Sequence, residues 1–192
     1  MVCFFPFVTI EKTIMTEPSA QRVRDSFAPQ QFMTTLGATM LSVKPGAVEI
    51  SLPFRAELTQ QNEFLHAGVI TSVLDSACGY AALSLAPENA GVLSVEFKVN
   101  LLSPAVGDSF IARAHVKRAG RTITVCSADA FAIKGKEEKL VATMLATIMT
   151  MIPIHAPATT RTSRESGTRL THGAAKRRKN AAHGASRGYQ VE

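Results

Sequence analysis

Between residues 92 and 151 apolar and polar positions alternate with a period of two, the signature of half-buried β-strands. In 92–102, Leu93, Val95, Phe97, Val99 and Leu101 fall on one predicted face, and Ser94, Glu96, Lys98 and Asn100 on the other. In 110–118, Phe110, Ala112, Ala114 and Val116 oppose Arg113, His115 and Lys117. Two further strand-like runs, 121–133 and 140–151, follow turns holding Gly120 and Gly135. Earlier, 38–43 and 47–54 flank Lys44, Pro45 and Gly46, a tight-turn order that predicts a β-hairpin. Residues 21–36 predict a short helix interrupted near Pro29.

Residues 64–86 read differently. They form a long apolar run rich in small residues, ending before Pro87, and predict one long helix. The run is long enough to span a bilayer, but His66, Asp75, its hydroxyl side chains and its glycines predict a buried soluble helix instead. Ala67, Gly68, Ala77, Gly79, Ala81 and Ala82 leave it slim, so that a curved sheet can wrap it closely. The order is a hairpin, one helix, then an antiparallel meander. Strands and helices do not alternate, which favours α+β over a doubly wound parallel sheet.

Asp75 is the only acidic residue between 64 and 86, and that stretch has no Lys, Arg or Glu. A carboxylate buried there is costly unless paired or used, and burial pushes a carboxyl pKa towards the range of a base. Gly68 and Gly79 each weaken a helix by about 1 kcal/mol relative to Ala, which suggests that something approaches closely. At Gly68 it could be a ligand reaching unpaired N–H groups of the first turn, which bind oxyanions and polarised carbonyls. Asp75 lies nine residues beyond His66, about 13–14 Å along the axis. One helix therefore cannot bring its own N-terminus and Asp75 onto one small reacting group. Either they do different jobs or a second copy of the chain supplies one of them.

The 192 residues suit one domain with unfolded flanks: an N-terminal extension over 1–20, a folded domain over 21–152, and a tail over 153–192. The formal charge of +6 belongs to the tail, because residues 1–152 hold 13 Lys/Arg and 13 Asp/Glu, and 153–192 hold 8 and 2. The folded part thus lacks a basic footprint for nucleic acid. The tail, with Lys176, Arg177, Arg178 and Lys179, has no apolar periodicity and reads as a solvated, disordered segment rather than a nucleic-acid arm. Cys3, Cys78 and Cys126 have no metal-ligand spacing, so Cys78 and Cys126 are expected as small core residues in a reducing, cytoplasmic compartment. The apolar start, 1–10, lacks a basic flank and is broken by Pro6, which makes a poor signal peptide.

The motifs resemble a known family. His66, Ala67 and Gly68, with Asp75 nine after the His, resemble the His-Gly-Gly…Asp signature of hotdog-fold acyl-CoA thioesterases, nearest the phenylacetate-degradation type. Residues 94–105 look like that family's third strand, 118–122 like its basic turn and 138–144 like its last strand. The resemblance covers roughly residues 25–151. It implies a hotdog fold, an antiparallel sheet wrapped around one long helix, as a homodimer or homotetramer. It also implies an acyl-CoA substrate, with neither metal nor bound cofactor.

Carried over position by position, the resemblance makes Asp75 the general base or nucleophile, supplied by the neighbouring subunit. The Ala67 N–H, with Gly68 beside it, holds the oxyanion. Ser94 orients the water. His66 could itself serve as a general base, but its place at the helix start predicts a cap that orients the loop. Arg118 and Arg121, around Gly120, fit coenzyme A phosphates, since a guanidinium grips two phosphate oxygens. Two departures stand out. The second motif position is Ala67 where the family has Gly. The family's Asn six before the His is Gln60 here, with Asn62 two residues on, so the longer amide would position the acyl carbonyl. The expectation is an acyl-CoA thioesterase. The rivals are a hotdog dehydratase, which would make His66 essential, and an acyl-CoA-binding protein without turnover.

Overall fold

The computed structural model describes residues 17–151. The predicted extension up to residue 16 and the predicted basic tail lie outside the described residues. Helices α1 (Glu17–Phe27) and α2 (Gln31–Leu36) flank Pro29, where the sequence predicts an interruption. A hairpin of β1 (Thr39–Lys44) and β2 (Ala47–Pro53) follows, then the long helix α3 (Ala67–Leu83). The strands β3 (Gly91–Leu101), β4 (Ser109–Arg118), β5 (Ile123–Lys134) and β6 (Glu137–Met151) complete the fold.

All six strands form one antiparallel sheet in the order β1-β2-β4-β5-β6-β3. The predicted meander holds for β4, β5 and β6 but not for β3. That strand crosses to the far edge and pairs with β6, while β4 pairs with β2. The seven residues after β3 leave room for that crossing.

The sheet wraps α3, as a hotdog fold requires. The inner face of β5 carries Cys126, Ala128, Ala130 and Ala132, all buried, and β4 and β6 add Ala112, Ala114, Ala142 and Ala146. These meet Ala77, Cys78 and Ala81 of α3, each with no exposed surface. Small side chains on both sides let the helix lie close to the strands. Larger residues complete the same core, among them Ile50, Leu52, Phe110, Leu74, Met144 and Ile148, each contributing about 1.5–3 kcal/mol by burial. Cys78 and Cys126 are buried free thiols, as expected of core residues. Burial pushes the Cys126 thiol up to about 12 and that of Cys78 upward as well, so neither is a ready thiolate nucleophile. Among the described residues no helix is long and apolar enough to cross a membrane.

An arginine with no sequence signature ties α1 to this core. The Arg22 guanidinium donates to the carbonyls of Leu83 and Ala86 at 2.8 and 3.0 Å, and to those of Pro87 and Glu88 at 2.8 Å each. The Leu83 and Pro87 carbonyls also accept from the Ala86 and Ala90 N–H groups, so Arg22 adds a second donor there and supplies a donor to Ala86 and Glu88, where α3 ends. Tyr80 of α3 donates to the Ser26 carbonyl at 3.1 Å and stacks edge-on against Phe27.

Candidate active site

The first turn of α3 is shaped by His66. It is the N-cap, and its Nδ1 accepts from the Gly68 N–H at 2.9 Å. With Nδ1 an acceptor, a neutral ring carries its proton on Nε2. The cap also explains Gly68: an added Cβ there would sit 3.0 Å from Nδ1 and 3.2 Å from Cε1 of the imidazole. The expectation that Gly68 leaves its amide open to a ligand is therefore corrected, because its N–H is already satisfied and its space serves the cap. The Ala67 N–H differs. It is the first of the helix, and it makes no hydrogen bond among the described residues.

Ala67 opens onto a cavity of about 400 Å³. Gln60 lines that cavity with apolar neighbours, including Phe64, Leu102 and Val141. Gln60 is set by a tight loop: its N–H donates to the Phe64 carbonyl at 2.9 Å, and its Oε1 accepts from the Asn62 N–H at 2.6 Å. That leaves the Nε2 amide as its available donor. Asn62 itself is exposed and is not part of the cavity wall.

Asp75 lies two turns further on and lines a different cavity, of about 610 Å³. The expectation of a buried carboxylate is corrected in degree: Asp75 is half-buried, with open space beside it. Its Oδ1 accepts a 2.6 Å hydrogen bond from Ser94 Oγ.

That contact depends on a bulge the period-two pattern does not reveal. The β3–β6 register slips between Ser94 and Glu96, leaving Val95 unpaired. Before the slip, Ser94 pairs with buried Ile148 and so shares its inner face; after it, Phe97, Val99 and Leu101 pair with the buried residues Ala146, Met144 and Ala142. The predicted uniform apolar face of β3 is thus corrected. Leu93 stands on the outer face, 53% exposed, and Ser94 takes the inward position next to α3.

Arg118, Gly120 and Arg121 lie at the end of β4 and in the turn to β5, and all three are exposed. Gly120 is needed by the turn, since an added Cβ would lie 2.4 Å from the Ile123 carbonyl oxygen. Gly120 and Arg121 line a cavity of about 240 Å³ with Ala82 and Ala86, at the C-terminal end of α3. Arg118 is outside that wall. The expected site residues therefore fall into three groups within one protomer: Ala67 with Gln60, Asp75 with Ser94, and the basic turn. The first two are separated by eight helical residues, about 12 Å along the axis.

Comparison with known proteins agrees with this architecture. The family model described as thioesterase superfamily matches residues 62–139, which span the first turn of α3, Asp75 and Ser94. A thioesterase family protein from Silicibacter pomeroyi, solved by crystallography, is 56% identical, with a TM-score of 0.69 over 70% of this chain and 99% of that one. Acyl-coenzyme A thioesterase 13 of Homo sapiens is 29% identical over 119 residues, 61% of this chain and 84% of the relative. The fold is also shared with the E. coli PaaI protein from the phenylacetic acid degradation operon, at 19% identity and a TM-score of 0.65, over 71% of this chain and 96% of that one. With this architecture and these relatives, the chain belongs to the thioesterase superfamily and is a hotdog-fold thioester hydrolase.

Proposed function

We propose that the chain hydrolyses acyl-CoA to a free carboxylic acid and coenzyme A, at sites shared between two copies. The observation that carries this reading is the separation of two incomplete half-sites. Ala67 offers an unpaired helix N–H over one cavity, and Asp75 offers an oriented carboxylate beside another. A second copy can bring one copy's Ala67 against the other's Asp75. The β3 edge supports such pairing, since it is a sheet edge with Leu93, Val95, Phe97 and Leu101 all exposed.

In this site the thioester carbonyl oxygen accepts from the Ala67 N–H, with the Gln60 Nε2 amide as a second donor. The Asp75 carboxylate takes a proton from water. The hydroxide adds to the carbonyl carbon, the C–S bond breaks, and the departing thiolate takes a proton from Asp75. Direct attack by Asp75, with hydrolysis of the resulting anhydride, uses the same geometry. In both routes negative charge grows on the carbonyl oxygen where the helix N–H is aimed. His66 keeps its ring in the cap and takes no proton. Arg118 and Arg121 hold coenzyme A phosphates at the edge of the site. The reaction needs neither metal nor bound cofactor, and two buried free thiols suit a reducing cytoplasm.

The test is release of free thiol from a panel of acyl-CoA esters of varied chain length, aryl-acetyl esters included. Asp75→Asn is expected to lower kcat by about 10²–10⁴-fold, the usual contribution of general acid–base catalysis. His66→Ala is expected to retain much of its activity. Full activity in Asp75→Asn, or abolition in His66→Ala alone, contradicts the reading.

A further inference from the structure

The glycine in the middle of α3 has no role in the packing of the protomer. Glycine is among the poorest helix formers, so a mid-helix glycine calls for a reason. Gly68 has one in the His66 cap, and Ala77 and Ala81 have theirs against the sheet. At Gly79 an added Cβ would meet nothing within 4 Å. Yet Gly79 is half-buried, not a surface position. It lies one turn beyond Asp75, on the same face of the helix, and both residues line the cavity of about 610 Å³. The rest of the lining mixes polar and apolar groups, among them Arg22 and Ser26 of α1, Glu88 and Asn89 before β3, and Gly91 and Val92 at its start. Leu83, one turn further, closes the helix side.

Resting on the thioester-hydrolase reading above, we infer that Gly79 is a specificity-determining position. The acyl group runs from the thioester at Asp75 along α3, over Gly79 and towards Leu83, in the gap between α1, α3 and β3. The missing side chain is the floor of that channel. From Asp75 to Leu83 the channel extends about 12 Å along the helix. The outer wall is preformed, because Arg22 and Tyr80 fix α1 across the helix. Any side chain larger than hydrogen at residue 79 shortens the space left for the acyl group without touching the Asp75–Ser94 pair.

The experiment compares wild type, Gly79→Ala and Gly79→Leu on straight-chain acyl-CoA esters from acetyl to dodecanoyl, with circular dichroism to verify folding. The readout is the ratio of kcat/KM for the best long ester to that for acetyl-CoA. Gly79→Leu is expected to lower this ratio by about tenfold or more, since each methylene turned away from a hydrophobic pocket is worth a factor of that size. Gly79→Ala is expected to fall between, and it carries the test if the Leu variant does not fold. An unchanged ratio in the folded variants overturns the assignment, including the case in which KM rises equally for every ester because the pantetheine arm fills the gap. Absence of hydrolysis by the wild type removes the thioesterase reading, and this assignment with it.

Discussion

Ser94 faces Asp75 because β3 carries one extra residue. Without the bulge at Val95, strict alternation would keep Ser94 on the face of Glu96 and Lys98, away from the helix. The resulting 2.6 Å contact fixes one carboxylate oxygen of a residue that lines the cavity. Ser94 is a positioning residue on this account, so removing its hydroxyl should disturb turnover more than binding. A hydrogen bond to a charged group is worth about 1.5–3 kcal/mol, so Ser94→Ala is expected to cost about 10- to 100-fold in kcat. KM for the same acyl-CoA should stay within about twofold, because the hydroxyl is engaged with Asp75 rather than with substrate. A rise in KM at constant kcat would show instead that Ser94 binds substrate.

Helix α3 organises the rest, and its two ends are finished by different devices. His66 caps the start, and Arg22, reaching across from α1, gathers four carbonyls at the finish. Arg22→Ala is expected to destabilise the domain by about 1–3 kcal/mol, because acceptors near the helix end lose their donor. In thermal unfolding that corresponds to about 2–4 °C per kcal/mol for a domain of this size. An unchanged Tm would mean that water replaces the guanidinium at no cost. The sequence makes α3 legible through its apolar run, and the hairpin through Pro45 and Gly46, since local periodicity and turn chemistry decide those elements. It does not reveal Arg22, whose four partners lie more than sixty residues away and leave no local pattern. The strand order is likewise hidden: period-two alternation in β3 and β4 says that both are strands, not that β3 crosses to β6. The bulge at Val95 is masked because the apolar alternation continues through it. Of the site, Asp75 stands out as a lone acid and His66 as a capping residue. The partition of the site residues between separate cavities appears only with the packing.

At the scale of the whole molecule, one protomer holds, on the proposed reading, the parts of a thioester hydrolase but not a finished site. Ala67 and Asp75 sit about 12 Å apart along the axis of one helix, and each lines its own cavity. No rearrangement short of breaking α3 joins them, whereas the proposed two-fold pairing of chains would give two equivalent composite sites. Mixing two inactive variants tests this most directly. Asp75→Asn removes the carboxylate. Ala67→Pro removes the amide hydrogen while keeping the helix, because proline is well tolerated at the first helical position and His66, at φ −61° and ψ 134°, has the extended backbone that precedes proline. Each variant alone should be nearly inactive. After joint unfolding and refolding of equal amounts, half of the dimers are mixed and one of their two sites is wild type. The account predicts recovery of about a quarter of wild-type thiol release from acyl-CoA. Failure to recover activity in verified mixed dimers would contradict it, placing Asp75 and Ala67 of the same chain at one site or removing one of them from the chemistry.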